Sequence, residues 1–281
     1  MLESREQLLQ ELNIIKTWES EQKDLWFWEK IGRLPFQLLD RLTPKLLNKK
    51  ISEALNELGN YLQAGGRYLI SEAGTLRHIE EVRHRSEGNH PAHTQIVAIE
   101  DVEALPLHIL DQAADEIIHN RTKLATLQGA TTGIGGILTL AIDIPAVLGL
   151  SLKTIQELAI CYGYDPKIKQ ERIFTIKCMQ FSSADIVGKK AILDELSDYA
   201  TNDQADAQMI SQLQGWREVF ATYRDNWGWK KLFQLIPIAG ILFGAWINRG
   251  TLKDVGESAK MLYRKRRILE RLNELEREKM E

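Results

Sequence analysis

Between Leu124 and Ile142 the chain runs for nineteen consecutive residues without a formal charge, and Asp143-Ile144-Pro145 then interrupts it. As one helix this run would measure about 28 Å, close to the ~30 Å hydrocarbon core of a bilayer. Its composition argues against a simple span. Gln128, Thr131, Thr132, Thr139 and four glycines lower the gain from leaving water, and Asp143 would be costly away from the interface. Gly129 and Gly133 are four apart and Gly136 lies three further on, so small residues line one groove where a second backbone can approach. Glycine costs up to about 1 kcal/mol in a helix interior, so close packing has to return stability there. Asp143 reads as a helix cap and Pro145 as a first-turn residue, which divides the run in two. The cap outweighs a catalytic or metal role for Asp143, because no partner carboxylate or histidine lies near it in sequence.

The second piece is helical in spacing and amphipathic. Leu148, Leu152, Ile155 and Ala159 form a stripe, with Lys153, Gln156 and Glu157 placed elsewhere on the wheel. Gly163 suits a left-handed C-terminal cap, and Asp165-Pro166 reads as the start of the next helix. A related pattern returns near the C-terminus, where Leu232 to Asn248 is uncharged, Gly240 and Gly244 are four apart, and a polar helix follows Asp254. Two glycine-bearing apolar segments suggest pairing inside the molecule; two unrelated core helices are the simpler alternative.

Elsewhere apolar residues recur at three and four, and strand-like alternation is rare. A first helix is expected over 3–30, with Leu8, Leu12, Ile15 and Leu25 on its apolar side, ending at Gly32 and Pro35. Trp26, Phe27 and Trp28 cannot share one face, since neighbours are about 100° apart. At least one ring meets a second surface, either another part of the fold or a membrane headgroup zone. Helices are expected from Pro44 to about Leu62 and over 67–83, a surface connection over 84–95, and a helix carrying Leu110, Ala114, Ile117, Ile118 and Leu124 inward. The fold expected is all-α: a multi-helix globular bundle with the two glycine-rich apolar segments packed in its core. Its parts are an N-terminal amphipathic helix (1–34), the main helical domain (35–270) and a charged helical tail (271–281).

Charge narrows the partners. A net charge of -3 creates no global field for nucleic acid or an anionic bilayer. The basic run Arg264-Lys265-Arg266-Arg267 is followed at once by five glutamates and reads as a solvated charged helix rather than a phosphate-binding patch. The two cysteines, Cys161 and Cys178, match neither a disulfide framework nor a zinc spacing, which fits a reducing cytoplasm. No secretion signal is read in the charged N-terminus.

The block "GATTGIGGILTLAIDIPAVLGLSLKTIQELAICYGYD", with "LIPIAGILFGAWINRGTLKDVGESAKMLYRKR" and the preceding "LPLHILDQAADEII", resembles the EcsC family of bacterial proteins over about residues 35–270. The resemblance implies a bacterial, membrane-linked setting associated with an ABC transporter. It carries no catalytic residue.

Chemistry-bearing clusters are few. His78, His84, His90 and His93 fall within sixteen residues beside Glu80, Glu81 and Glu87, and imidazole with carboxylate is a zinc-type donor set. Their spacing matches no metal motif, so solvated histidines are the default and a site there requires the loop to fold back over the helix. The "GIGG" at 133–136 follows no strand and lacks the lysine of a phosphate loop. No cofactor is expected. The reading is a non-enzymatic cytoplasmic protein held peripherally at the inner face of the membrane, or on a membrane protein, through Gly129, Gly133, Gly136, Asp143, Pro145, Gly240, Gly244, Trp26 and Trp28. Its rivals are a soluble helical domain with an apolar or lipid-like ligand, and a metal-dependent enzyme built on the histidines.

Overall fold

A computed structural model describes residues 2–24, 53, 56–65, 70–87, 95–132, 144–183, 186–198 and 251–279, and among them every regular element is a helix. In chain order these are α1 (Arg5–Asp24), a helical segment over 56–64, α2 (Glu72–Glu87), α3 (Ile99–Glu103), α4 (Leu107–Thr132), α5 (Ile144–Cys161), α6 (Lys169–Ser183), α7 (Ile186–Asp198) and α8 (Thr251–Arg277). The all-α expectation holds. Trp26, Trp28, His90, His93, Gly133, Gly136, Asp143, Gly240 and Gly244 lie outside the described residues.

Helix boundaries follow local chemistry. Asp101 accepts hydrogen bonds from Val97 N and Ala98 N at 2.9 Å each, which fixes the entry to α3. Pro106 disfavours helix at the residue before it, so the chain breaks at 104–106 before α4 begins. The free Leu107 N–H is then taken by the Glu3 carboxylate at 2.6 Å, a cap delivered from the far end of the sequence. Gly163 adopts φ 81° at the end of α5, as its role as a left-handed cap requires. After it, Asp165 accepts Lys167 N at 2.9 Å in a turn, and α6 begins only at Lys169, later than Asp165-Pro166 suggests.

Three expectations need correction. α2 runs on to Glu87, so His84 stands on a helix rather than in a surface connection; Glu80 receives both Arg83 and His84, and Glu116 of α4 receives Arg85. Leu124, expected on the inner face of α4, is 47% exposed. Most consequentially, α5 is not half-solvated. Gln156 is 0% and Glu157 9% exposed, alongside Leu152, Ile155 and Leu158. Several of its polar groups bond within the protein: Thr154 Oγ1 and Gln156 Nε2 donate to the carbonyls of Leu150 and Leu152, and Glu157 takes the Arg121 guanidinium.

Cross-chain pairs fix how the helices run. Along α8, Gly256, Lys260, Arg264 and Arg271 meet Ile118, Asp115, Asp111 and the Leu105 carbonyl in turn, so α8 lies antiparallel to α4. Arg121 to Glu157 and Asp111 to Tyr162 set α5 antiparallel to α4 as well. Glu3 to Arg271 and Glu11 to Arg264 do the same for α1 against α8. The end of α1, the end of α4, the start of α5 and the start of α8 therefore share one pole of the bundle. From the Arg121–Glu157 pair, α4 and α5 continue for a further eleven and thirteen residues towards it, about 16–20 Å of paired helix.

Candidate functional site

Successive residues on a helix point about 100° apart, so the run Arg264-Lys265-Arg266-Arg267 fans out around α8 and each cation meets a different neighbour. Arg264 Nε sits 3.0 and 2.9 Å from the two Asp111 oxygens of α4, and its Nη2 reaches Glu11 of α1 at 2.7 Å. Lys265 Nζ donates to Glu19 at 2.7 Å. Arg266 Nη1 donates to Glu171 of α6 at 2.6 Å, with its guanidinium 4.1 Å from the Tyr164 ring centroid. Arg267 Nε donates to the Tyr162 carbonyl at 2.8 Å, and Arg271 donates to Glu3 and to the carbonyls of Glu103 and Leu105.

Arg264, Arg267 and Arg271 are interior, 8%, 3% and 6% exposed, and Lys265 and Arg266 are half-buried, which corrects the solvated reading of this run. Arg264, Arg267 and Arg271, spaced three and four apart, continue the face that Gly256 and Lys260 turn towards α4. Burial alone would depress a guanidinium's pKa, but the carboxylates raise it: Arg264 and Arg266 are both held above the ordinary value.

Around Glu171 the polar groups converge. Tyr61, Thr175 and Tyr263 are 0% exposed and Glu171 is 1%, with Cys178 alongside. Glu171 is pushed up by burial, with Arg266 pulling the other way. Both tyrosine hydroxyls are pushed well up by burial. The Cys161 and Cys178 thiols are fully buried and raised for the same reason, an environment of packing rather than nucleophilic attack.

The histidines at 78 and 84 are already engaged: His78 Nε2 lies 3.3 Å from the Ala113 carbonyl and His84 Nε2 lies 2.9 Å from Glu80. Among the described residues no group of three or more histidine, cysteine, aspartate or glutamate side chains is arranged to hold a metal ion. A shallow open depression follows one face of α4, lined by His108, Asp111, Gln112, Asp115, Glu116 and His119. Its acids are spoken for, Asp111 by Arg264, Asp115 by Lys260 and Glu116 by Arg85. Gly129 lies in α4 and Pro145 is the second residue of α5, each on the stretch of helix that extends to the shared pole.

An all-α bundle closed by a basic C-terminal helix is the class of protein that the described residues define. The chain belongs to the EcsC protein family, whose model matches residues 9–268. It is 53% identical over 276 residues to Uncharacterized protein YdbA of Bacillus subtilis (strain 168), covering 98% of each chain. It is 29% identical over 195 residues to Protein EcsC of the same organism, covering 69% of this chain and 79% of that one. No solved structure matches.

Proposed function

We propose that the protein acts without catalysing a reaction, as a cytoplasmic helical adaptor docked peripherally at the inner face of the membrane or on a membrane protein. The shared pole carries this reading. Asp24, Thr132, Ile144 and Thr251 end or begin their helices there, and in sequence the Trp26 to Trp28 cluster follows Asp24, the 133–143 segment joins Thr132 to Ile144, and the apolar stretch up to Asn248 precedes Thr251. Gly129 and Pro145 sit on the helices leading to it, and Gly133, Gly136, Asp143, Gly240 and Gly244 belong to the neighbouring stretches of sequence. Leu124, 47% exposed on the same stretch of α4, adds apolar surface towards that end. No helix among the described residues is long and apolar enough to cross a membrane. The opposite pole is closed by the Glu3 clasp on Leu107 and Arg271.

Cell fractionation followed by a high-salt wash and a carbonate wash tests the reading. The protein is expected in the membrane pellet and released by one of the two washes. A pool that never sediments with membranes overturns docking, and retention through carbonate overturns the peripheral mode. Flotation with vesicles of anionic phospholipid then separates the two sources of attachment: binding to bare vesicles identifies the lipid surface, and binding only to native membranes identifies a protein partner.

A further inference from the structure

Four buried oxygens meet where α6, α8 and the helical segment 56–64 pack, and none has completed a hydrogen bond: Tyr61 OH, Thr175 Oγ1, Tyr263 OH and Glu171 Oε2. Glu171 and Thr175 are one helical turn apart on α6, and both tyrosine hydroxyls face Thr175 without closing a bond of normal geometry. The rings fix the hydroxyls in place, with Tyr263 packed 4.7 Å from Phe174, centroid to centroid. Buried polar groups are almost always satisfied, because an orphan loses its bond to water and gains nothing in exchange. Four orphans at one junction would consume much of the margin by which a domain is stable.

We propose that Tyr61, Thr175, Tyr263 and Glu171 form an internal site for one neutral hydrogen-bonding molecule, a water, that ties α8 and α6 to the 56–64 helix. Neutrality follows from the surroundings. An anion would meet the Glu171 carboxylate, and a cation would compete with Arg266, already held on the other Glu171 oxygen at 2.6 Å. Three hydroxyls and one carboxylate oxygen supply both donors and acceptors, and an interior water makes about three bonds of this kind. Unlike the docking reading, the site involves only described interior residues and stands whether or not the protein binds membranes.

A crystal structure at about 1.5 Å is expected to show a density peak within hydrogen-bond reach, about 2.6–3.2 Å, of at least three of the four oxygens. An empty junction overturns the proposal. In solution, Tyr61→Phe and Tyr263→Phe keep the rings and remove only the hydroxyls, so both variants should fold. Each is expected to lower Tm by ~2–4 °C, and the double variant by less than the sum, because the first loss already loosens the shared molecule. Hydroxyls that were simply orphaned would give unchanged or raised Tm on removal, and independent ones would add; either result overturns the proposal.

Discussion

Arg264 grips Asp111 through its Nε at 3.0 and 2.9 Å while the same Asp111 carboxylate accepts the Tyr162 hydroxyl at 2.6 Å. One carboxylate on α4 thereby joins the C-terminal helix to the end of the central helix α5. Its charge is expended on two interior donors rather than on solvent, so the pair works as an internal fastening.

Removing Asp111 leaves Arg264 with only Glu11, and the Tyr162 hydroxyl with nothing. Asp111→Ala is expected to cost about 2–4 kcal/mol, since breaking one side of a largely buried pair strands the other charge. A double-mutant cycle with Arg264→Met, read by urea denaturation, should give a coupling above ~1 kcal/mol. Additive single effects would show that the two helices are fastened elsewhere.

Gly256 lets α8 lie close against Ile118 of α4. A Cβ there would fall 2.8 Å from Ile118 Cγ1 and 3.2 Å from its Cγ2. Gly256→Ala gains up to about 1 kcal/mol in helix propensity, yet overpacking is expected to leave it destabilised by about 1–3 kcal/mol. Pairing it with Ile118→Ala should cost less than the two single changes together. A stabilised Gly256→Ala, seen in its Tm, would mean that the helices separate freely at this point.

Gly163 is constrained twice over. Its φ of 81° is a left-handed value, and a Cβ would lie 2.6 Å from Arg267 Nη2 and 2.9 Å from Glu103 Cγ. Gly163→Ala therefore combines backbone strain with displacement of the guanidinium that holds the Tyr162 and Gly163 carbonyls. A loss of about 2–3 kcal/mol is expected in chemical denaturation, whereas Gly59→Ala, with open space around it, should be neutral or stabilising.

The pH dependence of stability should carry the mark of Glu171. Its folded pKa lies above the ordinary 4.5, so between that value and the higher folded one the folded chain binds the extra proton. Stability from this group is complete below pH 4.5 and is lost as pH rises through the folded value. Asp254, raised by burial and by Glu257, acts with the same sign. Glu171→Gln cannot ionise, so its stability relative to the parent is expected to climb from pH 4.5 towards neutrality. Denaturation curves at several pH values that differ by a constant amount would show that this carboxyl does not titrate in the window.

Much of the local structure was legible in residue spacing. Leu8, Leu12 and Ile15 are core residues, the α5 stripe from Leu148 to Ala159 is buried, Gly163 caps as expected, and Pro145 stands in the first turn of its helix. Each depends on neighbours within one or two turns, where backbone preference and apolar period speak directly. Errors gathered where a polar residue found a distant partner. Glu157 and the arginines of α8 look solvent-facing in a helical wheel, because a wheel assigns every charge to water.

The sequence by itself determined the helical class, most helix positions, the two glycine-bearing apolar runs and the likeness to one bacterial family, since those follow from periodicity, caps and composition along the chain. Only the tertiary structure decided that α5 is enclosed, that Arg264, Arg267 and Arg271 of α8 are interior, and that four helix ends share a pole. The physical reason is the range of the forces involved. Arg271 is held by Glu3 at 2.7 Å across almost the whole length of the chain, and a charge whose counterpart lies that far away has no local signature.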